Sequence, residues 1–154
     1  FSMARGEAED WTLTLVGEGP ERHALEAQVA RLGLQQRVDF LGHCRDVSTW
    51  LAAASVFVLP SRFEGMPNAL LEAMAQGLAV VVTDASPGPL EEIEQGVNGF
   101  VVPSEDAAAL ALRLEQLASD PVLRETLGNA ARQRLQARSW SVLGPIWDRV
   151  LNAP

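Results

Sequence analysis

The chain has 154 residues, 47% of them hydrophobic and 21% charged, with a formal net charge of −8. That length suits one domain able to bury its own core, and the acidic balance argues against a nucleic-acid partner, which needs a basic face. All 12 basic residues are Arg and none is Lys, which excludes a Walker P-loop and a lysine Schiff base and argues against a receiver-domain phosphorylation site, which also uses a lysine.

Cys44 is the only cysteine, so no intrachain disulfide is expected and nothing points to an oxidising compartment. No apolar run approaches the roughly 18 residues of a membrane span, and no signal-peptide pattern opens the sequence. The expected location is cytoplasmic, or peripheral to the membrane in a full-length protein.

Along the chain, strand-like and helix-like segments alternate. Trp11 to Val16 favours a strand and ends at Gly17-Glu18-Gly19-Pro20. From Glu21 to Leu32 the apolar residues Leu25, Val29 and Leu32 recur at helical spacing, and Gly33 follows as the stop. A second strand is expected from Arg37 to Leu41, then a short helix from Asp46 to Ala54. Val56-Phe57-Val58-Leu59 and Leu78 to Val82 are unbroken apolar runs, the pattern of parallel strands covered on both faces. Between them a helix is expected from Pro67 to Gln76, closed by Gly77. A short helix from Leu90 to Glu94 leads to a strand from Gly99 to Val102. The tail reads as helices over Asp106 to Ala118, Pro121 to Arg138 and Ser141 to Asn152, the last bent by Gly144-Pro145. There are no repeats. One α/β doubly wound parallel sheet over 1–154 is expected, with C-terminal helices at about 106–152.

Ligands of such sheets bind beyond the carboxyl ends of the strands. One such end, Ser61-Arg62-Phe63-Glu64-Gly65-Met66-Pro67, leaves an apolar strand and enters a helix within seven residues. Pro67 fits the first helical position. The N–H groups of Asn68, Ala69 and Leu70 would then point outward without helical partners, a start suited to a diphosphate. The alternative is that Asn68 is itself the cap. Ala69, Glu72, Ala73 and Gln76 share one helical face, and Leu71, Met74, Ala75 and Leu78 line another. Glu64 before the helix and Glu72 in its second turn could grip hydroxyls at two points of one extended ligand. The alternative is that both are ordinary solvated charges.

Glu64 and Glu72 form an E-x7-E pair inside Pro60-Ser61-x-x-Glu64-Gly65-x-Pro67-x-x-Leu70-x-Glu72-Ala73-Met74-Ala75-x-Gly77. This block resembles the signature of family-4 glycosyltransferases, the large retaining group of GT-B fold. Val16 to Pro20, Val38 to Gly42, Val80 to Asp84, and Gly88 to Gly99 with Glu91 and Asn98 resemble further blocks in the family's order. The resemblance runs from about Trp11 to the C-terminus. It implies a Rossmann-like nucleotide-sugar-binding domain, the C-terminal half of a hexosyltransferase of glycan or glycolipid synthesis. Glu64 would contact the donor sugar in the catalytic role, and Glu72 would take the ribose hydroxyls. The amides of Gly65, Met66, Pro67-linked Asn68, Ala69 and Leu70 would receive the diphosphate. The turns at Gly17, Glu18, Gly19 and at Gly42, His43 would flank the base. No Asp-x-Asp motif occurs, so no metal or other cofactor is expected.

The sequence departs from the family pattern in two ways. The Arg and Lys that neutralise the leaving diphosphate belong to an earlier segment, as does the acceptor-binding N-terminal domain. The fragment alone is therefore expected to be inactive. The family's first strand is expected in that earlier segment too, with residues 1–9 resembling the end of the helix that follows it. The strands at Trp11 and Val56 would each then offer an open edge, inviting either closure upon each other or a homodimer. Two alternatives stay open: a non-catalytic nucleotide-sugar-binding or interaction module, and a related GT-B epimerase or phosphorylase.

Overall fold

A computed structural model of the chain describes residues 11–137 and 139–151. The expected helix end at 1–9, and the helix ends expected at Arg138 and Asn152, lie outside the described residues. In chain order the elements are β1 (Leu13–Val16), α1 (Arg22–Arg31), β2 (Val38–Gly42), α2 (Ser48–Ala53), β3 (Val56–Leu59), α3 (Asn68–Gln76), β4 (Ala79–Thr83), α4 (Pro87–Glu92), β5 (Phe100–Val102), α5 (Ala107–Ser119), α6 (Pro121–Gln136) and α7 (Trp140–Leu151).

Local chemistry accounts for most boundaries. Gly33 and Gly77 stop α1 and α3 at φ +69° and +79°, left-handed backbone that glycine adopts without a Cβ penalty. Asp106 and Asp120 cap α5 and α6 by accepting from Ala109 N (2.9 Å) and Leu123 N (2.8 Å), each satisfying an orphan donor of the first turn. The helix expected at Leu90 to Glu94 instead runs from Pro87 to Glu92. Its prolines occupy the first turn, where a missing N–H costs nothing, so Pro-Gly-Pro opens a helix rather than a turn. Beyond it, buried Asn98 accepts from Glu94 N at 2.7 Å and donates to Glu92 O at 3.0 Å, closing the return to β5. α7 continues as one helix through Pro145.

The strands form two parallel sheets, β1–β2 and β3–β4–β5. β1 is bonded to β2 and β3 to β4, so among the described residues the two open strand edges have not closed on each other. This affects burial. β4 is buried at every residue, whereas β3, bonded along one edge only among the described residues, is half-buried throughout; the full cover expected for Val56 to Leu59 is not reached. α1 has no buried residue.

β4 divides the core by its two-residue period. Val80 and Val82 pack with Leu70, Ala73 and Met74 of α3, and Ala79 and Val81 pack with Phe100, Leu117 and Leu127. Helices α3 and α6 touch at two glycines, because a Cβ on Gly128 would collide with the Gly77 carbonyl. Arg132 of α6 seals the same end of α3, donating from Nε to Ala75 O at 3.2 Å and from Nη2 to Gln76 O. Gly128→Ala is therefore expected to destabilise the chain by about 1–3 kcal/mol through overpacking against backbone that cannot yield. Gly19→Ala, where a Cβ meets nothing within 4 Å, should stay within roughly 0.5 kcal/mol. Urea unfolding of the two variants checks the contrast.

Candidate functional site

Two clusters of sequence-selected residues lie at strand ends. The first joins the two glycine turns. Gly17, at φ +123°, donates from N to Gly42 O at 2.8 Å. Gly42 is buried at φ +69°, and a Cβ there would lie 2.5 Å from Glu18 Oε1. Only glycine lets the Glu18 side chain fold over this turn. Glu18 is ion-paired with Arg22, whose Nε also donates to Glu26 at 2.8 Å and whose guanidinium stands 5.7 Å from the Phe40 ring centroid. The bond from Arg22 holds the Glu26 carboxyl below its ordinary range, and the same bond raises Arg22. Gly19 and His43 are exposed beside this network.

The second cluster is the loop from Ser61 to Pro67. Glu64 is half-buried and fixed at both ends: its N–H donates to Ser86 Oγ at 2.9 Å, and its Oε2 accepts from Ser61 Oγ at 2.9 Å. Thr83 Oγ1 donates to Ser61 O at 2.5 Å. A Cβ on Gly88 would strike the Gly65 carbonyl, so the loop lies directly on the first turn of α4. Residues Ser61, Thr83, Ser86 and Gly88 were not singled out as site residues by the motif. Their link to Glu64 is tertiary, and the only sequence signal for it was the polar cluster at the end of β4.

The start of α3 differs in detail from expectation. Pro67 is the cap residue rather than the first helical position, and no side chain caps the helix. Asn68 is the first helical residue, neither an Asn cap nor an open donor, because its N–H bonds Met66 O at 2.9 Å. The N–H groups of Ala69 and Leu70 have no acceptor among the described residues. Leu70 is fully buried, so of the two only Ala69, an exposed residue, stands where a ligand can reach it. The faces also need correction: Ala73 is buried and Ala75 exposed, because the helix is rotated by its packing on α6 and β4. Glu72 lies on the exposed face, with Asn68, Ala69 and Gln76 also exposed. Phe63 and Met66 are 83% and 72% exposed, leaving a bare apolar rim beside Glu64. Among the described residues no hydrogen bond or ion pair joins this loop to the glycine-turn cluster; what the two have in common is their place after parallel strands.

On the other side of the loop, Arg62 pairs with Glu105 (Nε to Oε1, 3.0 Å). A cavity of about 340 Å³ opens there, bounded by Pro60, Arg62, Thr83, Val102, Ser104 and Leu110 among others.

The parallel α/β layers are those of a Rossmann-like GT-B C-terminal domain, the fold of the solved glycosyltransferases that this chain resembles. The chain belongs to the family described as glycosyl transferases group 1, whose model matches residues 2–120. It is 39% identical over 123 residues to the lipopolysaccharide core biosynthesis glycosyltransferase LpsE of Rhizobium meliloti, covering 80% of this chain and 36% of that one. It is similar in structure to Anabaena HepE in complex with UDP, at 26% identity and TM-score 0.82, over 97% of this chain and 42% of that one. The C-terminal domain of a group 1 glycosyl transferase, LpcC of Francisella tularensis, is similar at 29% identity and TM-score 0.81, over 89% of this chain and 74% of that one. The chain thus spans well under half the length of full relatives such as LpsE and HepE. Among the described residues no helix is long and apolar enough to cross a membrane.

Ser86 sets the position of Glu64 through one bond and is itself buried. Ser86→Ala leaves the Glu64 N–H without its acceptor, an expected loss of about 1–3 kcal/mol. Hydrogen exchange checks this: the Glu64 amide should lose protection more than the amides of β4.

Proposed function

We propose that this domain binds the nucleoside diphosphate sugar of a retaining glycosyltransferase, and that a full-length protein containing it moves a hexose onto an acceptor in glycan or glycolipid synthesis. The observation that carries the reading is the start of α3. A backbone N–H on an exposed residue, Ala69, stands at the uncapped helix start without an acceptor among the described residues, between an oriented carboxylate at Glu64 and an exposed one at Glu72. Such a helix start suits an anion, and the flanking acids suit sugar hydroxyls, which donate to carboxylates. The likeness to HepE in complex with UDP supports the same ligand class.

In this reading the backbone from Gly65 to Leu70 receives the diphosphate without a metal. Glu72 holds the ribose, Glu64 contacts the transferred sugar, and the turns at Gly17, Glu18, Gly19, Gly42 and His43 border the base. Glycine backbone permits the close approach a flat base requires. Charge develops on the departing phosphate during transfer, so donors aimed at it lower the barrier. The cations that complete this stabilisation, and the acceptor site, are assigned to another part of the full-length protein, which works in the cytoplasm. The 154-residue chain alone should bind donor weakly and turn over nothing.

Titration of the labelled chain with UDP and GDP tests the site. Amide shifts are expected first at Gly17, Gly42 and Asn68 to Glu72; shifts confined to α5–α7 would overturn the assignment. In a full-length enzyme, Glu72→Gln should raise the donor KM roughly tenfold or more, as expected for one lost charged hydrogen bond made equally in ground and transition states. Glu64→Gln should mainly lower kcat, its contact tightening as the glycosidic bond breaks. Equal, near-neutral effects would mean two solvated acids.

Among the described residues β1 and β3 each pair along one edge only, which leads to a second proposal: two copies of this chain pair through the other edges as a homodimer. Sedimentation equilibrium should find a dimer, and a strict monomer at high concentration would rule it out.

A further inference from the structure

We propose that Ser61 is a positioning residue for the transfer: its hydroxyl holds the Glu64 carboxylate in the orientation that meets the donor sugar, without cancelling its charge. This rests on the donor reading above and deepens it. Three contacts tie the segment between the two residues to the end of β4 and the start of α4. Ser61 O accepts from Thr83 Oγ1 at 2.5 Å, and the Glu64 N–H donates to Ser86 Oγ at 2.9 Å. The Gly65 carbonyl lies against Gly88, where a Cβ would collide with it. Thr83 and Ser86 are 7% and 6% exposed, so both anchoring hydroxyls belong to the core and not to the surface.

Those contacts place the backbone of Glu64 but leave its long side chain free to turn, a freedom that costs entropy to remove at the moment a ligand binds. Ser61 removes it in advance. Its Oγ donates to Glu64 Oε2 at 2.9 Å, and its own main chain is held by the bond from Thr83. Among the described residues Glu64 Oε1 accepts no hydrogen bond. One carboxylate oxygen is thus used to set direction, and the other is left to accept from a ligand.

The chemistry of the tether matters as much as its place. An arginine here would bring a fork of donors and a positive charge, engaging both oxygens and neutralising the acid. A serine brings one donor and no charge. Among the described residues no Arg or His pairs with Glu64. Arg62, two residues away, is turned instead to Glu105 on the loop before α5, Nε to Oε1 at 3.0 Å, where Glu105 keeps a left-handed φ of +63°. Glu64 therefore stays a full anion with acceptor sites to spare, which is what a donating sugar hydroxyl needs. A group held ready in this way adds to rate more than to affinity when its contact tightens as the bond breaks.

The test has two arms. In the 154-residue chain without donor, three-bond couplings along the Glu64 side chain report its rotamer. The parent chain should show a single rotamer and Ser61→Ala averaged couplings at an unchanged melting temperature. Ser61→Thr, which keeps a hydroxyl, should restore the single rotamer. In a full-length enzyme carrying this domain, Ser61→Ala should lower kcat roughly tenfold, the scale of one hydrogen bond to a charged group, with the donor KM within about twofold. Ser61→Thr should recover most of that loss. On a Glu64→Ala background Ser61→Ala should have no further effect, because a positioning residue acts only through the group it holds. The inference alone is overturned if Ser61→Ala leaves the Glu64 couplings unchanged, if it leaves kcat unchanged although Glu64→Ala lowers it, or if its effect persists with Glu64 removed. Undiminished kcat in Glu64→Ala would overturn the use of Glu64 in the donor reading, and this inference with it.

Discussion

Complete burial of β4 is the constraint on which the other elements depend. Four apolar residues followed by Thr83 run between β3 and β5 with no residue reaching solvent. Alternate side chains of the strand belong to different core clusters, so helices must cover both faces. α3 and α6 meet close by, backbone against backbone at Gly77 and Gly128. The same strand controls the site. Thr83 at its end bonds Ser61 O, and Ser86 three residues later bonds the Glu64 amide. The most fully buried strand of the core is thus one hydrogen bond away from the loop that bears Glu64, which fixes where that side chain stands.

The two acids of the E-x7-E pair have different surroundings despite lying within one short segment. Glu64 is half-buried, held at its amide and at its carboxylate, whereas Glu72 stands on the exposed face of α3. An oriented carboxylate and an exposed one further along suit separate parts of one elongated ligand of the kind proposed above. The loop between them brings exposed Phe63 and Met66 to the same rim, so polar grip and apolar contact alternate along it.

Much of this was legible in the sequence. Val56 to Leu59 and Leu78 to Val82 announced strands by unbroken apolar runs, and Gly33 and Gly77 marked helix stops now seen as left-handed turns. The motif between Pro60 and Gly77 selected the loop and the helix start. What stayed hidden depends on tertiary placement. The bond from the Glu64 amide to Ser86 spans 22 residues, and no local period encodes it. The exchange of Ala73 and Ala75 between faces reflects the rotation of α3 against α6, which spacing alone leaves free. α4 begins at Pro87 rather than at the expected Leu90, because the first turn of a helix tolerates both Pro87 and Pro89. The left-handed angle at Glu105 has no sequence cue, since Glu is not a residue that favours it.

Unequal packing across the chain has a consequence for its dynamics. The unit β1–α1–β2 buries only Val38 and Gly42 among its strands and nothing from its helix. Its ties to the β3–β4–β5 core include the Arg124 guanidinium over the Trp11 ring at 5.1 Å. Thinly packed elements open locally at far lower free energy than the global transition. Among the described residues the two glycine turns therefore sit on a thinly packed part of the fold. A ligand that bridges Gly17 and the start of α3 would then act as a missing piece of core, and its affinity would include the work of ordering that unit. Occupancy and folding become one equilibrium, with protection of α1 rising as ligand concentration rises.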